Sequence, residues 1–211
     1  MPKTQLTPTE TKTMMLQVAD AIIEAEPILT DADRALGDGD HGVGMERGMN
    51  AIKEKLGASE YTSVGKVFMD VGMAMMSSMG GASGAVFGTL FRAGGKSIKD
   101  SESLTAKELA ELITSGTQSV MDRGGAKPGD KTMIDALDPA ATAAQGAADQ
   151  PLNEAITAVA AAGEAGRDAS KAMIATMGRA KTLGEKSIGH PDAGAVSIAI
   201  IFNTMNDFIN S

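Results

Sequence analysis

The sequence predicts an all-α fold, a single bundle of about eight helices over residues 1–211. Three observations predict it. Apolar residues recur at three- and four-residue spacing along most of the chain, while strand-like alternation is nearly absent. Trp is missing, aromatics make up 3% and Met numbers 15, so the core must be built from Ala, Met, Leu and Ile, which favours close-packed helices over sheets. The helical patterns follow one another with short connections and no linker, as in a bundle with antiparallel neighbours.

The first helix opens at Thr7-Pro8-Thr9-Glu10, a capping box with Pro at the first helical position. Met15, Val18, Ile22 and Ala25 continue its stripe, and Pro27 lies near its expected end. Met45, Met49, Ile52 and Leu56 mark a second helix, and Val64, Val67, Val71, Met75 and Met79 a third. A shorter apolar helix is expected over Ser83 to Ala93, stopped by Gly94-Gly95. Thr105 and Glu108 form another capping box ahead of Leu109, Leu112, Ile113 and Val120, with Gly124-Gly125 as the stop. Asp130 is expected to cap a helix through Met133, Ile134 and Leu137, kinked at Pro139. Leu152, Ile156, Val159 and Gly163 begin a long Ala-rich helix toward Met177, and Asp192 caps the last one, with Val196, Ile200 and Met205 on its face.

Composition excludes several functions. The 19 basic and 27 acidic residues leave a net charge of −8, which argues against nucleic-acid binding. There is no cysteine, hence no thiolate nucleophile or thiolate metal site. No run of about 18 apolar residues exists, and Met1 to Leu6 lacks a signal-peptide core, so a cytoplasmic protein without membrane contact is expected.

The most informative stretch runs from Asp33 to Gly42. Asp33, Asp38 and Asp40 fall within eight residues, and Gly37, Gly39 and Gly42 predict a tight loop. Three carboxylates folded toward one point repel one another and call for a cation. An all-oxygen set favours Mg²⁺, Mn²⁺ or Ca²⁺, and Mg²⁺ commonly completes its shell with phosphate oxygens. Rival motifs fail. Gly37 to Gly42 fits G-x-G-x-x-G, yet no apolar strand precedes it and two Asp inside the loop repel a bare pyrophosphate. Gly95-Lys96-Ser97 lacks the P-loop's first glycine, because Leu90 stands there. An EF-hand from Asp38 would need a ligand at Gly42 and a glutamate at Met49.

Three further loops are glycine-rich: Gly80 to Gly84, Gly124 to Thr132, and Gly178 to Gly194. In an antiparallel bundle, alternate loops share one end. Glycine there permits close backbone approach to a ligand, and the helices that follow offer N–H groups and a positive dipole end to phosphate. His41 and His190, the only histidines, and the basic residues Lys131, Arg179 and Lys181 lie in or near these loops.

Four segments together resemble one family: Ala32 to Gly42, Gly80-Gly81-Ala82-Ser83-Gly84 with Phe87-Gly88-Thr89, Lys127 to Met133, and Leu183 to Ala195. It is the nucleotide-binding L subunit of dihydroxyacetone kinase. The resemblance covers nearly the whole chain and implies a barrel of eight antiparallel helices with the nucleotide, ADP or ATP, at one end. It implies two Mg²⁺ ions on Asp33, Asp38 and Asp40. His41, Gly42, Val43 and Gly44 would approach the phosphates, and Ala82 and Ser83 would donate to them. Gly124, Thr132 and Met133 would line the pocket, and Arg179 with Asp192, Ala193 and Gly194 would complete it. It further implies a substrate-binding partner, subunit K, and a phosphocarrier subunit M that rephosphorylates bound ADP from phosphoenolpyruvate. Related alternatives are an ATP-dependent triose or tetrose ketose kinase with exchangeable nucleotide, and a nucleotide-bound regulator docking on a transcription factor. Gly39 stands where many members have Ala, and Gly44 where some have Asn.

Overall fold

The expected helices are all present in the computed structural model, which describes residues 1–211. One further helix, not expected from the sequence, follows the first. Helix α1 (Pro8–Glu24) opens on the Thr7–Glu10 capping box, with Thr7 N–H donating to Glu10 Oε2 at 2.8 Å and Glu10 N–H to Thr7 Oγ1 at 3.2 Å. Ala25 breaks the run, and Pro27 sits in the first turn of α2 (Glu26–Arg34), where a missing N–H does no harm. Pro27 therefore starts a helix instead of closing one, and Asp33 rides on a helical last turn instead of in a loop.

Next come α3 (His41–Gly57), α4 (Val64–Ser78) and α5 (Gly81–Ser97). Helix α5 runs straight through Gly94-Gly95, the expected stop. These glycines serve packing. A Cβ on Gly95 would lie 2.6 Å from Gly65 O, and one on Gly65 would lie 2.6 Å from Gly95 O. Gly72 and Gly88 form a second reciprocal pair, at 2.6 and 2.8 Å. The α4–α5 crossing is backbone against backbone at both points.

Helix α6 (Ala106–Gly124) has the expected Thr105–Glu108 box and ends at Gly125 in the left-handed conformation. Helix α7 (Ile134–Gly146) continues through Pro139. Its entry turn is closed by Asp135, not Asp130: the Asp135 carboxylate accepts the Gly129 and Thr132 amides at 2.6 and 2.7 Å. Helix α8 (Leu152–Ala169) stops well short of Met177. The Ser170 carbonyl is taken by Lys131 Nζ and its hydroxyl by Arg167 O, which redirects the chain into irregular structure and a 3₁₀ segment, Ala180–Ser187. Asp192 then caps α9 (Ala193–Asn210), accepting Ala195 N–H at 2.8 Å.

Helices α3 to α9 pack in chain order, and α1 closes the ring by packing on both α3 and α9. The interior is Met14, Met15, Met45, Met49, Met75 and Phe68 with smaller aliphatic neighbours. Short connections make neighbours antiparallel, which sorts the loops. At one end Leu6 pairs with Leu104 and Lys12 donates to Ser59 O. At the other lie all four glycine-rich loops. No helix is long and apolar enough to cross a membrane.

Candidate functional site

The acidic cluster is built from a helix end, a turn and a helix start. Asp33 lies on the last turn of α2, Asp38 in the turn, and Asp40 at the cap of α3. One carboxylate oxygen from each lies within 4.8 Å of the others. Asp33 is also a structural clamp, because its Oδ2 accepts Asp40 N–H at 2.9 Å and His41 N–H at 3.3 Å. Of the three loop glycines, only Gly39 is needed for conformation, with φ +75° between two of the acids. Gly37 and Gly42 are needed for space: a Cβ would meet Asp33 Oδ1 at 2.8 Å in one case and the Thr30 amide at 2.8 Å in the other. Arg179 ion-pairs with Asp38 and supplies the only basic partner to the three acids. The all-oxygen donor set suits a hard divalent cation.

Two helix N-termini open beside it. Asp40 gives α3 no side-chain cap, and the Gly42 and Val43 amides have no acceptor within the protein. Val43 is 51% exposed. Helix α5 begins after Gly80 (φ +73°), again without a side-chain cap, and the Gly81, Ala82 and Ser83 amides are likewise free. Such ends attract anions.

The His41 side chain turns inward. It is buried between α5 and α9, with Nε2 2.8 Å from Ser197 Oγ, Nδ1 3.4 Å from Ser83 Oγ and the Phe87 ring at 5.9 Å. The Ser197 hydroxyl in turn lies 3.1 Å from Ala193 O, which ties the ring to the first turn of α9. Burial holds the imidazole below its usual pKa, against the pull of Asp33 and Asp40, and keeps it neutral near pH 7. Only its backbone faces the loop. Ser197, four residues beyond Ala193 on one helix face, was missed in the sequence because a lone helical serine carries no signal of its own.

The remaining predicted residues form a second group. Met133 is buried against Gly194, where a Cβ would lie 3.1 Å from that of Met133. Thr132 donates its amide to Asp135, and its hydroxyl accepts Ile134 N–H. Gly124 ends α6 and stands apart, 4.0 Å from Val86 on α5 by its would-be Cβ. The Gly44 position is open, with nothing within 4 Å. Ala193 is buried at the start of α9. The Asp192 carboxylate is occupied with its own helix, taking the Ala195 and Gly194 amides beside Lys131 and Asp135. Burial pushes this carboxyl up to about 7, Asp135 adds to the push, and the amides and Lys131 oppose it.

A raised carboxyl pKa stabilises the fold fully below the ordinary value near 3.8, and that stabilisation is lost as pH rises through 7. Asn caps as well as Asp but does not titrate. Asp192→Asn is therefore expected to gain about 1–3 kcal/mol relative to the parent between pH 4.5 and 7.5. Urea midpoints of the two proteins at both pH values measure this, and parallel pH profiles would refute it.

One cleft borders the acidic cluster and another shares no residue with the site. One of about 330 Å³ lies between Gly37-Asp38 and Arg179, Thr182 and Leu183, beside the acidic cluster. A larger one of about 520 Å³ lies between α1 and α9, walled by Asp20, Glu24 and Asp207. Carboxylates without a helix N-terminus repel phosphate, so the smaller cleft is the one suited to it.

Residues 35–207 match the model of the DAK2 domain. The chain belongs to the DAK2 domain family. It is 36% identical over 202 residues to the PEP-dependent dihydroxyacetone kinase, ADP-binding subunit DhaL, of Escherichia coli (strain K12), covering 95% of this chain and 96% of that one. It is 38% identical to the PEP-dependent dihydroxyacetone kinase 1, ADP-binding subunit DhaL, of Listeria innocua, covering 88% and 89%. In structure it resembles the dihydroxyacetone kinase of C. freundii in complex with AMP-PNP and Mg²⁺, with a TM-score of 0.73 and 27% identity over 93% of this chain. It spans about a third of that longer enzyme (33%). Three of the four segments lie wholly within the matched residues, the first begins just before them, and the all-helical ring is the family's fold.

Proposed function

We propose that this DAK2 domain, acting as a single unit over residues 1–211, is the ADP-binding, phosphoryl-transferring subunit of a dihydroxyacetone kinase. The observation that carries the reading is the acidic cluster flanked by two free helix N-termini at the end where the glycine-rich loops gather. The near-complete overlap with separate ADP-binding subunits supports the phosphoenolpyruvate-linked form. In that form, a substrate-binding subunit K holds the ketone and a phosphocarrier subunit M returns the phosphoryl group to ADP.

The carboxylates of Asp33, Asp38 and Asp40 lie close enough to share a hard cation such as Mg²⁺, and the family resemblance implies two such ions. When bound, Mg²⁺ neutralises the phosphate oxygens during transfer. The chain's own part is positioning and charge complementarity. The Gly42, Val43, Ala82 and Ser83 amides hold phosphate oxygens without reorganisation. Arg179 adds a cation within reach of the cluster. Thr132, Met133 and Gly194 line the remaining wall, with Asp192 and Ala193 as its helix cap, while Gly124 stands beside Val86 of α5 and outside that wall. No residue here becomes covalently modified, and the chain alone has no ketone site, so it is expected to be inactive without subunit K.

The test is to purify the chain, denature it and assay the supernatant for nucleotide. About one ADP per chain, or a thermal midpoint raised by several degrees on adding Mg–ADP, is the expected result. Finding neither would remove nucleotide binding. Retained ADP that turns over only with subunits K and M and phosphoenolpyruvate separates this reading from an ATP-exchanging kinase and from a regulator without activity.

A further inference from the structure

Lys131 is a charge out of place. It is 2% exposed, and it is the one non-glycine residue with a left-handed backbone (φ 60°). Such strain persists only where the surroundings enforce it. Its ammonium is not free for phosphate, since Nζ donates to Ser170 O and His190 O, both at 2.6 Å, and faces Asp192 and Asp135.

Those two carbonyls belong to opposite limbs of one excursion. The chain leaves α8 at Ala169 and returns at Asp192, and its limbs meet at a neck. There Gly189 N–H donates to Lys171 O at 2.7 Å and Asp192 N–H to Ser170 Oγ at 3.1 Å. Lys131 bridges the neck from outside, and the adjacent Asp130 takes Thr176 Oγ1 at 2.6 Å further along. The far part of the excursion carries Arg179, paired with Asp38. The α6–α7 loop therefore holds both ends of a strap whose middle reaches the acidic cluster.

We propose that Lys131 is a positioning residue: by bridging Ser170 O and His190 O it closes the neck of the 171–189 strap and so sets Arg179 against Asp38 at the nucleotide site. Removing the amine leaves His190 O without its protein donor and Ser170 O with only the Met173 amide at 3.2 Å, opens the neck and lets Arg179 sample positions away from the cluster. The effect on nucleotide rests on the reading above, whereas the pinning of the strap does not.

The experiment uses Lys131→Met, with the milder Lys131→Gln, which still serves one carbonyl, in case the first does not fold. Amide hydrogen exchange of the full chain is expected to be at least about tenfold faster over 171–189 and unchanged over α4. The Kd for Mg–ADP, by titration calorimetry, is expected to rise roughly ten- to a hundredfold, as for loss of charge-assisted hydrogen bonds. Because Lys131 acts through Arg179, Lys131→Met and Arg179→Ala should be strongly non-additive in a double-mutant cycle, whereas Lys99→Ala combined with either should add. Unchanged exchange over 171–189, an unchanged Kd, or additivity with Arg179→Ala would each overturn the proposal. If the parent chain does not bind Mg–ADP, the nucleotide reading fails, and hydrogen exchange still decides whether Lys131 holds the strap.

Discussion

Asp38→Asn is expected to weaken Mg–ADP binding by at least about a hundredfold, beyond the range seen for partners behind a metal's direct ligands, with little change in stability. Asp38 is exposed, and its one protein partner is the exposed Arg179 guanidinium. Surface pairs of this kind contribute about 0–1 kcal/mol, and relief of repulsion from Asp33 and Asp40 offsets even that. Asp33→Ala should behave differently. It removes a proposed metal ligand and also the acceptor of the Asp40 and His41 amides, so it is expected to lose binding and about 1–3 kcal/mol of stability. For a chain of this size that lowers the thermal midpoint by several degrees. Calorimetric titration with Mg–ADP and thermal unfolding of both variants give the comparison. Normal binding by Asp38→Asn would take Asp38 out of the site, and an unchanged midpoint for Asp33→Ala would deny it the clamp.

The largest effect on folding is expected at the α4–α5 crossing. Gly72→Val and Gly95→Val place side chains where even a Cβ would sit 2.6 Å from a backbone carbonyl oxygen of the facing helix. Backbone cannot swing aside as a side-chain tip does, so the helices must separate and uncover Phe68, Val71 and Phe91. We expect no soluble folded protein from either valine variant. For Gly72→Ala a loss of about 1–3 kcal/mol is expected, after the roughly 1 kcal/mol gained in helix propensity. Gly57→Ala is the control. It ends α3 with open space around it and is expected to be neutral or to stabilise by up to about 1 kcal/mol. Urea midpoints rank the set, and a folded Gly72→Val of parental stability would show that the crossing is not held by backbone contact.

The same glycines show where sequence reading stops. Gly94-Gly95 reads as a helix stop because glycine weakens helices, and nothing local reveals that it faces Gly65 across an interface. Asp130 is the cap that the sequence suggests for α7, but the structure uses another residue. The choice fell to Asp135 because its carboxylate reaches two amides of the Gly129–Thr132 turn, while Asp130 is drawn to Thr176, 46 residues away. Nothing near His41 in the sequence reveals that its ring pairs with Ser197, 156 residues on.

By itself the sequence determined the helical class, eight of the nine helices and their two capping boxes, the family, and an acidic cluster. All of these depend on residues close together in the chain: a 3.6-residue period, a cap and its third neighbour, three acids within eight positions. Only the tertiary structure decided which end of the ring gathers the glycine-rich loops, which acids bind amides as well as facing one another, where His41 points and why Lys131 is buried. Those depend on contacts between elements far apart in sequence, where the partner of a polar group is set by packing and carries no local mark.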